Sequence, residues 1–220
     1  MKKTIKYLRE AIEGEHQAVE KYQKFATVAY EEGFPKVALL FKALVNAEKV
    51  HIKNHQNAVK ANSAPLDSHS DSDLSSIQKH RAKQENATNH ELSIEAPHST
   101  DSTKLNLENA VESEMYEYRT MYPNLLKAVK KEKKTSSRQI AELSMKWTRE
   151  VELTHAKALK LALKQIEKGS DLQVESIWVC RVCGNLILSN TKDPPKELCP
   201  ICRHDPHFFK QISESPPKIT

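Results

Sequence analysis

Four glutamates lie on the apolar stripes of four long helical stretches, and no other feature constrains the fold of this chain as tightly. A bare carboxylate inside a protein is very costly, so a fold that turns these stripes inward must also supply cations. The first stretch covers residues 4–31, where Ile5, Leu8, Ile12, Glu15, Val19, Tyr22 and Ala26 recur at three- and four-residue steps. Gly33-Phe34-Pro35 ends it, with Gly as a stop and Pro as the next start. The second stretch covers about 35–61, and Val37, Phe41, Leu44, Glu48, His51 and His55 share its stripe. A third begins near Ser102-Thr103 and runs to about Lys134, with Leu107, Val111, Glu114, Tyr118, Met121 and Leu125 in line. Pro123 lies inside it and predicts a kink or a lost hydrogen bond. Ser136-Ser137 is placed to cap a fourth, which ends at Gly169.

Two of these helices carry Glu-x-x-His: Glu48 with His51, and Glu152 with His155. A three-residue step puts both side chains on one helix face, about one turn apart. Glu15 and Glu114 stand singly on the other two stripes. One Glu from each of two helices plus Glu-x-x-His from each of the others is the donor set of a two-metal carboxylate bundle. Hard carboxylate oxygens bridge two cations and neutralise them, and imidazoles add nitrogen ligands suited to iron. The pair alone has little specificity. It recurs as Glu13 with His16, where Glu13 points about 200° away from Glu15. It recurs again as Glu95 with His98, beside Pro97 in a loop-like stretch.

All four cysteines sit near the C-terminus, as Cys180-Arg181-Val182-Cys183-Gly184 and Cys199-Pro200-Ile201-Cys202. In a reducing compartment such pairs favour a metal over disulfides. Zinc would make a structural ribbon, and a single iron a one-electron carrier. Spacing leaves both open. Trp178, Val179, Phe208 and Phe209 flank the pairs and suit a small core.

With only 4 Gly and 29% charged residues, the 220-residue chain suits helices better than a turn-rich sheet protein. The net charge is +5 and the pI about 8.9. The lysines are spread along solvated faces without an aromatic-rich basic motif, so no nucleic-acid partner is expected. No apolar run approaches the roughly 20 residues of a membrane span. Met1-Lys2-Lys3 is basic, but Thr4-Ile5-Lys6-Tyr7-Leu8-Arg9-Glu10 is no signal-peptide core, so a cytoplasmic location is expected.

Residues 62–102 change character, being rich in Ser, Asp, Asn and His, with Pro65 and Pro97. Leu74 to Glu85 suits one short helix, and His69, His80, His90 and His98 are scattered through the segment. So long a connection lets the helices it joins run parallel. The expected organisation is mainly α: a four-helix bundle over 1–169 with a crossover insert at 62–102, a linker at 170–176, and a cysteine domain at 177–214.

These motifs resemble the rubrerythrins, a ferritin-like di-iron bundle followed by a rubredoxin-like domain. The likeness rests on Gly14-Glu15-His16-Gln17-Ala18, Ala47-Glu48-Lys49-Val50-His51, Glu114-Met115-Tyr116-Glu117 with Met121-Tyr122-Pro123, and Glu152-Leu153-Thr154-His155. It extends to Trp178-Val179-Cys180-Arg181-Val182-Cys183-Gly184 and Leu198-Cys199-Pro200-Ile201-Cys202, leaving out 62–102. The resemblance implies two irons in the carboxylate site and one iron, or zinc, on the four cysteines. Glu48 and Glu152 would bridge, and Glu15, Glu114 and His155 would be terminal. His51 and Glu117 would exchange as the iron changes oxidation state. Tyr22 and Tyr122 match family tyrosines beside the cluster.

The implied activity is reduction of hydrogen peroxide in oxidative stress defence. Electrons would come from an external NAD(P)H-linked reductase, and the protein would be a homodimer. The alternative is an oxygen-dependent ferroxidase or iron-handling protein. The chain departs from the family in its long, His-rich crossover and a longer stretch from Cys183 to Cys199 that contains Pro194-Pro195. Arg203 follows Cys202 where free rubredoxins carry glycine.

Overall fold

A computed structural model describes residues 3–63 and 101–214. The expected insert, its short helix and its four histidines therefore lie almost wholly outside the described residues. Helix α1 spans Lys3–Glu31 and α2 spans Pro35–Ser63. They fold back on one another through Gly33, whose φ of 84° is open to glycine without strain. Their shared core includes Val19, Tyr22, Phe41 and Leu44.

The third helical stretch is broken, as Pro123 predicts, but the break precedes the proline. Helix α3 (Asp101–Tyr116) passes into a π-helical turn at Glu117–Met121, and α4 (Tyr122–Val129) follows with Pro123 in its first turn. In an unbroken α-helix Tyr122 would sit about 80° around from Glu114. The wider turn absorbs one residue and returns both to the inner face. Helix α5 covers Ser136–Ile166, and its cap is Thr135 rather than Ser136 or Ser137. The Thr135 hydroxyl accepts from the N–H of Arg138 at 3.1 Å.

Three short strands follow: β1 (Ser176–Cys180), β2 (Leu186–Ser189) and β3 (Phe209–Gln211), antiparallel in the order β2-β1-β3. This sheet does not hang from a loose tether. Asp171 accepts from the N–H groups of Lys36 and Val37, at 2.7 and 3.0 Å, and so caps α2 from the segment expected to be a linker. Leu172, Val174, Ile177 and Val179 join the bundle's own core. Val151 and Trp147 of α5 pack with Trp178, Phe209 and the four cysteines. Among the described residues no helix is long and apolar enough to cross a membrane.

Candidate metal centres

The four helices deliver their acidic side chains to one place. Glu15, Glu48, Glu114, Glu152, His51 and His155 are all buried, at 2% exposure or less. They form two overlapping sets, each with ligand atoms within 4.8 Å of one another. Glu15, Glu48, His51 and Glu152 make one; Glu48, Glu114, Glu152 and His155 make the other. His51 Nδ1 lies 2.7 Å from Glu48 Oε2, 3.1 Å from Glu152 Oε1 and 3.7 Å from Glu15 Oε2. His155 Nδ1 lies 2.9 Å from Glu152 Oε2, and 3.4 Å from both Glu48 Oε1 and Glu114 Oε2. Glu48 and Glu152 thus turn one oxygen to each histidine. The imidazoles stack with centroids 5.6 Å apart.

So many buried acids and imidazoles perturb one another strongly. Burial pushes the Glu15 carboxyl up to about 7, although His51 works against it. Burial, then the Glu48 charge, lifts Glu152 well above the usual carboxylate range. For Glu48 burial works upward too, but His155 and His51 prevail and hold its carboxyl low. Both histidines are raised, because the surrounding carboxylates outweigh their burial. Protons are therefore distributed among groups that cannot all be charged at once.

The atoms left without hydrogen-bond partners include Glu15 Oε2, both oxygens of Glu48 and Glu152, Glu114 Oε2, and Nδ1 of His51 and His155. Buried polar atoms are normally paired. These eight converge on one point, and two hard cations would satisfy all of them. The donor set fits a di-metal carboxylate centre.

Glu117 stands outside both four-residue sets, half-buried on the π-helical turn. Burial raises its carboxyl well above normal, followed by the charges of Glu15 and Glu152. Tyr22 donates to Glu114 Oε1 and Tyr122 to Glu15 Oε1. Both hydroxyls are raised, first by burial and then by the adjoining carboxylate. Behind Tyr122 lies a residue that the helical stripe contains but that motif reading passes over. His55 Nε2 is 3.0 Å from Tyr122 Oη, and its Nδ1 is 2.7 Å from Ser144 Oγ. Burial pushes His55 down to about 3, which keeps it neutral. The signal available in the sequence is its place one turn beyond His51.

The four cysteines are buried and close, with Sγ atoms 3.7 Å apart for Cys180 and Cys202 and 3.6 Å for Cys183 and Cys199. Hydrogen bonds from Cys180 and Cys183 pull Cys199 toward the thiolate, while those from Cys180 and Cys199 keep Cys183 protonated. Two matching turns hold them: Gly184 N–H donates to Cys180 O at 2.8 Å, and Arg203 N–H to Cys199 O at 2.9 Å. Gly184 and Arg203 both take positive φ, 87° and 63°. The set fits a single tetrahedral thiolate metal.

The two centres meet. His51 Nε2 lies 3.1 Å from the carbonyl oxygen of Cys183, and His155 Nε2 lies 3.3 Å from that of Gly184. Asn54 Nδ2 donates to Val182 O at 2.8 Å. A Cβ built on Gly184 would stand 2.5 Å from His51 Nε2. Glycine at that point is what lets the cysteine knuckle reach the histidines.

The family model for rubrerythrin matches residues 6–146. Rubrerythrin-2 of Clostridium acetobutylicum is 28% identical over 201 residues, covering 90% of this chain and 91% of that protein. A putative rubrerythrin of Methanocaldococcus jannaschii is 29% identical over 214 residues, covering 96% and 93%. Among solved structures, nigerythrin in a mixed-valence state superposes with a TM-score of 0.68 at 24% identity, covering 94% of this chain and 86% of that one. The fully reduced, all-ferrous nigerythrin gives 0.67 at 25% identity with the same coverage. With a family match across most of its length and the donor sets described above, the chain belongs to the rubrerythrin family of di-iron oxidoreductases.

Proposed function

We propose that the protein reduces hydrogen peroxide to water at a di-iron centre fed by an iron on its own four cysteines. The observation that carries this reading is the double engagement of His51. Its Nδ1 faces Glu48 and Glu152, while its Nε2 meets the carbonyl of Cys183. One imidazole therefore joins the two clusters.

In this reading Glu48 and Glu152 would be shared by both metals, since both belong to the two ligand sets. Glu15 and His51 would complete one site, Glu114 and His155 the other. Bound irons supply a two-electron store and Lewis acidity in the carboxylate site, and single electrons from the thiolate site. Splitting the O–O bond of one peroxide takes two electrons and two protons and releases two waters. A one-electron carrier beside a two-electron store answers that mismatch, and holding both in one chain raises the carrier's effective concentration without added affinity.

The chain's own groups manage orientation and protons. Tyr22 and Tyr122 each occupy one oxygen of a terminal carboxylate, Glu114 and Glu15 respectively, and leave the other for metal. Glu117, whose carboxyl is raised first by burial and then by the charge of Glu15, would be the group that exchanges with His51 as a ligand. The cysteines would hold an iron that an external NAD(P)H-linked reductase would keep reduced.

The test is to reduce the iron-loaded protein anaerobically and mix it with peroxide or with air-saturated buffer. Faster reoxidation by peroxide is expected. Reoxidation no faster than with dioxygen would overturn the assignment and favour the ferroxidase reading. Cys180→Ser should abolish turnover driven by an external reductant and leave a single turnover of chemically reduced protein intact.

A further inference from the structure

Tyr122 has one hydroxyl hydrogen, and Glu15 Oε1 takes it. His55 Nε2, 3.0 Å from the same phenol oxygen, is then left to act as the N–H donor. A neutral imidazole carries one N–H, so Nδ1 is bare and accepts from the Ser144 hydroxyl 2.7 Å away. Every hydrogen in this line points the same way: Ser144 to His55, His55 to Tyr122, Tyr122 to Glu15. All four side chains are buried, at 5% exposure or less. Glu15 Oε1 is thereby occupied, while Oε2 is the oxygen without a partner.

We propose that His55, held in one tautomer by Ser144, is a positioning residue that aims the Tyr122 hydroxyl at Glu15 and so presents Glu15 Oε2 alone to the metal. The inference rests on the reading of Glu15 as a ligand. Its physical basis is that hydrogen bonds in a chain polarise one another in a low-dielectric interior. Outer groups that orient a ligand also govern metal affinity, commonly by about 10–100-fold. The line touches the Glu15–His51 set only. Glu114 has a separate partner in Tyr22, so the two metals should respond differently. Without the Ser144 hydroxyl the other tautomer becomes available. Its bare Nε2 would compete with Glu15 for the Tyr122 hydrogen.

The experiment is an anaerobic cobalt(II) titration of the full chain, with the cysteine site already filled, followed by visible absorption. The wild-type chain should take two cobalt ions. His55→Leu should weaken one of the two by about 10–100-fold and leave the other unchanged. His55→Gln, which restores an N–H donor, should return most of the loss. Tyr122→Phe should weaken the same ion, and adding His55→Leu to it should produce little further change, because the effect passes through Tyr122.

Wild-type affinity in His55→Leu, equal weakening of both ions, or full additivity with Tyr122→Phe would each overturn the proposal. Should His55→Leu not fold, Ser144→Ala replaces it in the same cycle, with the same outcomes deciding. A wild-type chain that takes no pair of cobalt ions would overturn the ligand reading itself, and this inference with it.

Discussion

His51 Nε2 and the carbonyl oxygen of Cys183 stand 3.1 Å apart although 132 residues separate them in the chain. That contact makes one imidazole the boundary between a carboxylate cage and a thiolate cage. It depends on Gly184, which has no side chain to fill the gap.

Gly184→Ala would place a Cβ 2.5 Å from His51 Nε2 and 3.1 Å from Ala47 O, at a φ of 87°. The left-handed backbone costs an alanine about 1–2 kcal/mol, and crowding adds about 1–3 kcal/mol. Both centres should still load with metal. Electron transfer from the cysteine iron to the di-iron pair should slow by roughly tenfold or more, given tenfold for each 1.4 kcal/mol of lost docking. Asn54→Ala removes one hydrogen bond to Val182, worth about 1 kcal/mol, and should slow transfer less. Rapid-mixing absorbance at the thiolate bands measures both. Transfer at the wild-type rate in Gly184→Ala would mean that electrons cross elsewhere.

Metal loading should release protons. Glu15 is raised to about 7 without metal, chiefly by burial, and His51 and His155 are raised by the carboxylates around them. A cation binds only the unprotonated donors, so affinity falls as pH falls. Release should be larger at pH 6, where Glu15 still holds its proton, than at pH 8, where it has lost it. Manganese(II) calorimetry in two buffers of different ionisation heat counts these protons. An affinity independent of pH from 5.5 to 8 would rule out these side chains as ligands.

Arg203 occupies a left-handed turn with φ of 63°, the position where its counterpart in the first knuckle is a glycine. Arg203→Gly should relieve about 1 kcal/mol of backbone strain and raise the melting temperature of the metal-loaded protein. A lower melting temperature would show that the arginine side chain contributes more than its backbone loses.

Asp171 is a cap supplied from outside the helix it caps. Asp171→Ala frees the N–H groups of Lys36 and Val37 and should cost about 1 kcal/mol, the usual worth of a lost cap. Asp171→Asn, which keeps an acceptor, should lose less. Chemical denaturation curves compare the two. Equal stability of Asp171→Ala and the parent would mean water satisfies the freed groups.

Helix stripes were readable because a 3.6-residue period is local: Glu48 and His51 face one way whatever the rest of the chain does. The cysteine knuckles are local in the same sense, a loop of four residues repeated. The π-helical turn was only half visible. Pro123 marks a break, but the extra residue is taken up before it, at Glu117–Met121, because the turn must return Glu114 and Tyr122 to one face. Thr135 won the α5 cap from Ser136 and Ser137 because it alone has an extended backbone, φ −134° and ψ 162°, just before the first turn.

Residue types at helical and knuckle spacing determined, unaided, that this chain would bring acids, imidazoles and thiols inward in two groups. Tertiary packing alone decided how those groups meet: His51 against Cys183, Gly184 against His51, and Ser144 through His55 and Tyr122 to Glu15. Spacing in one dimension sets the face a side chain occupies. The rotation and approach of distant segments, which no local period encodes, set what that face touches.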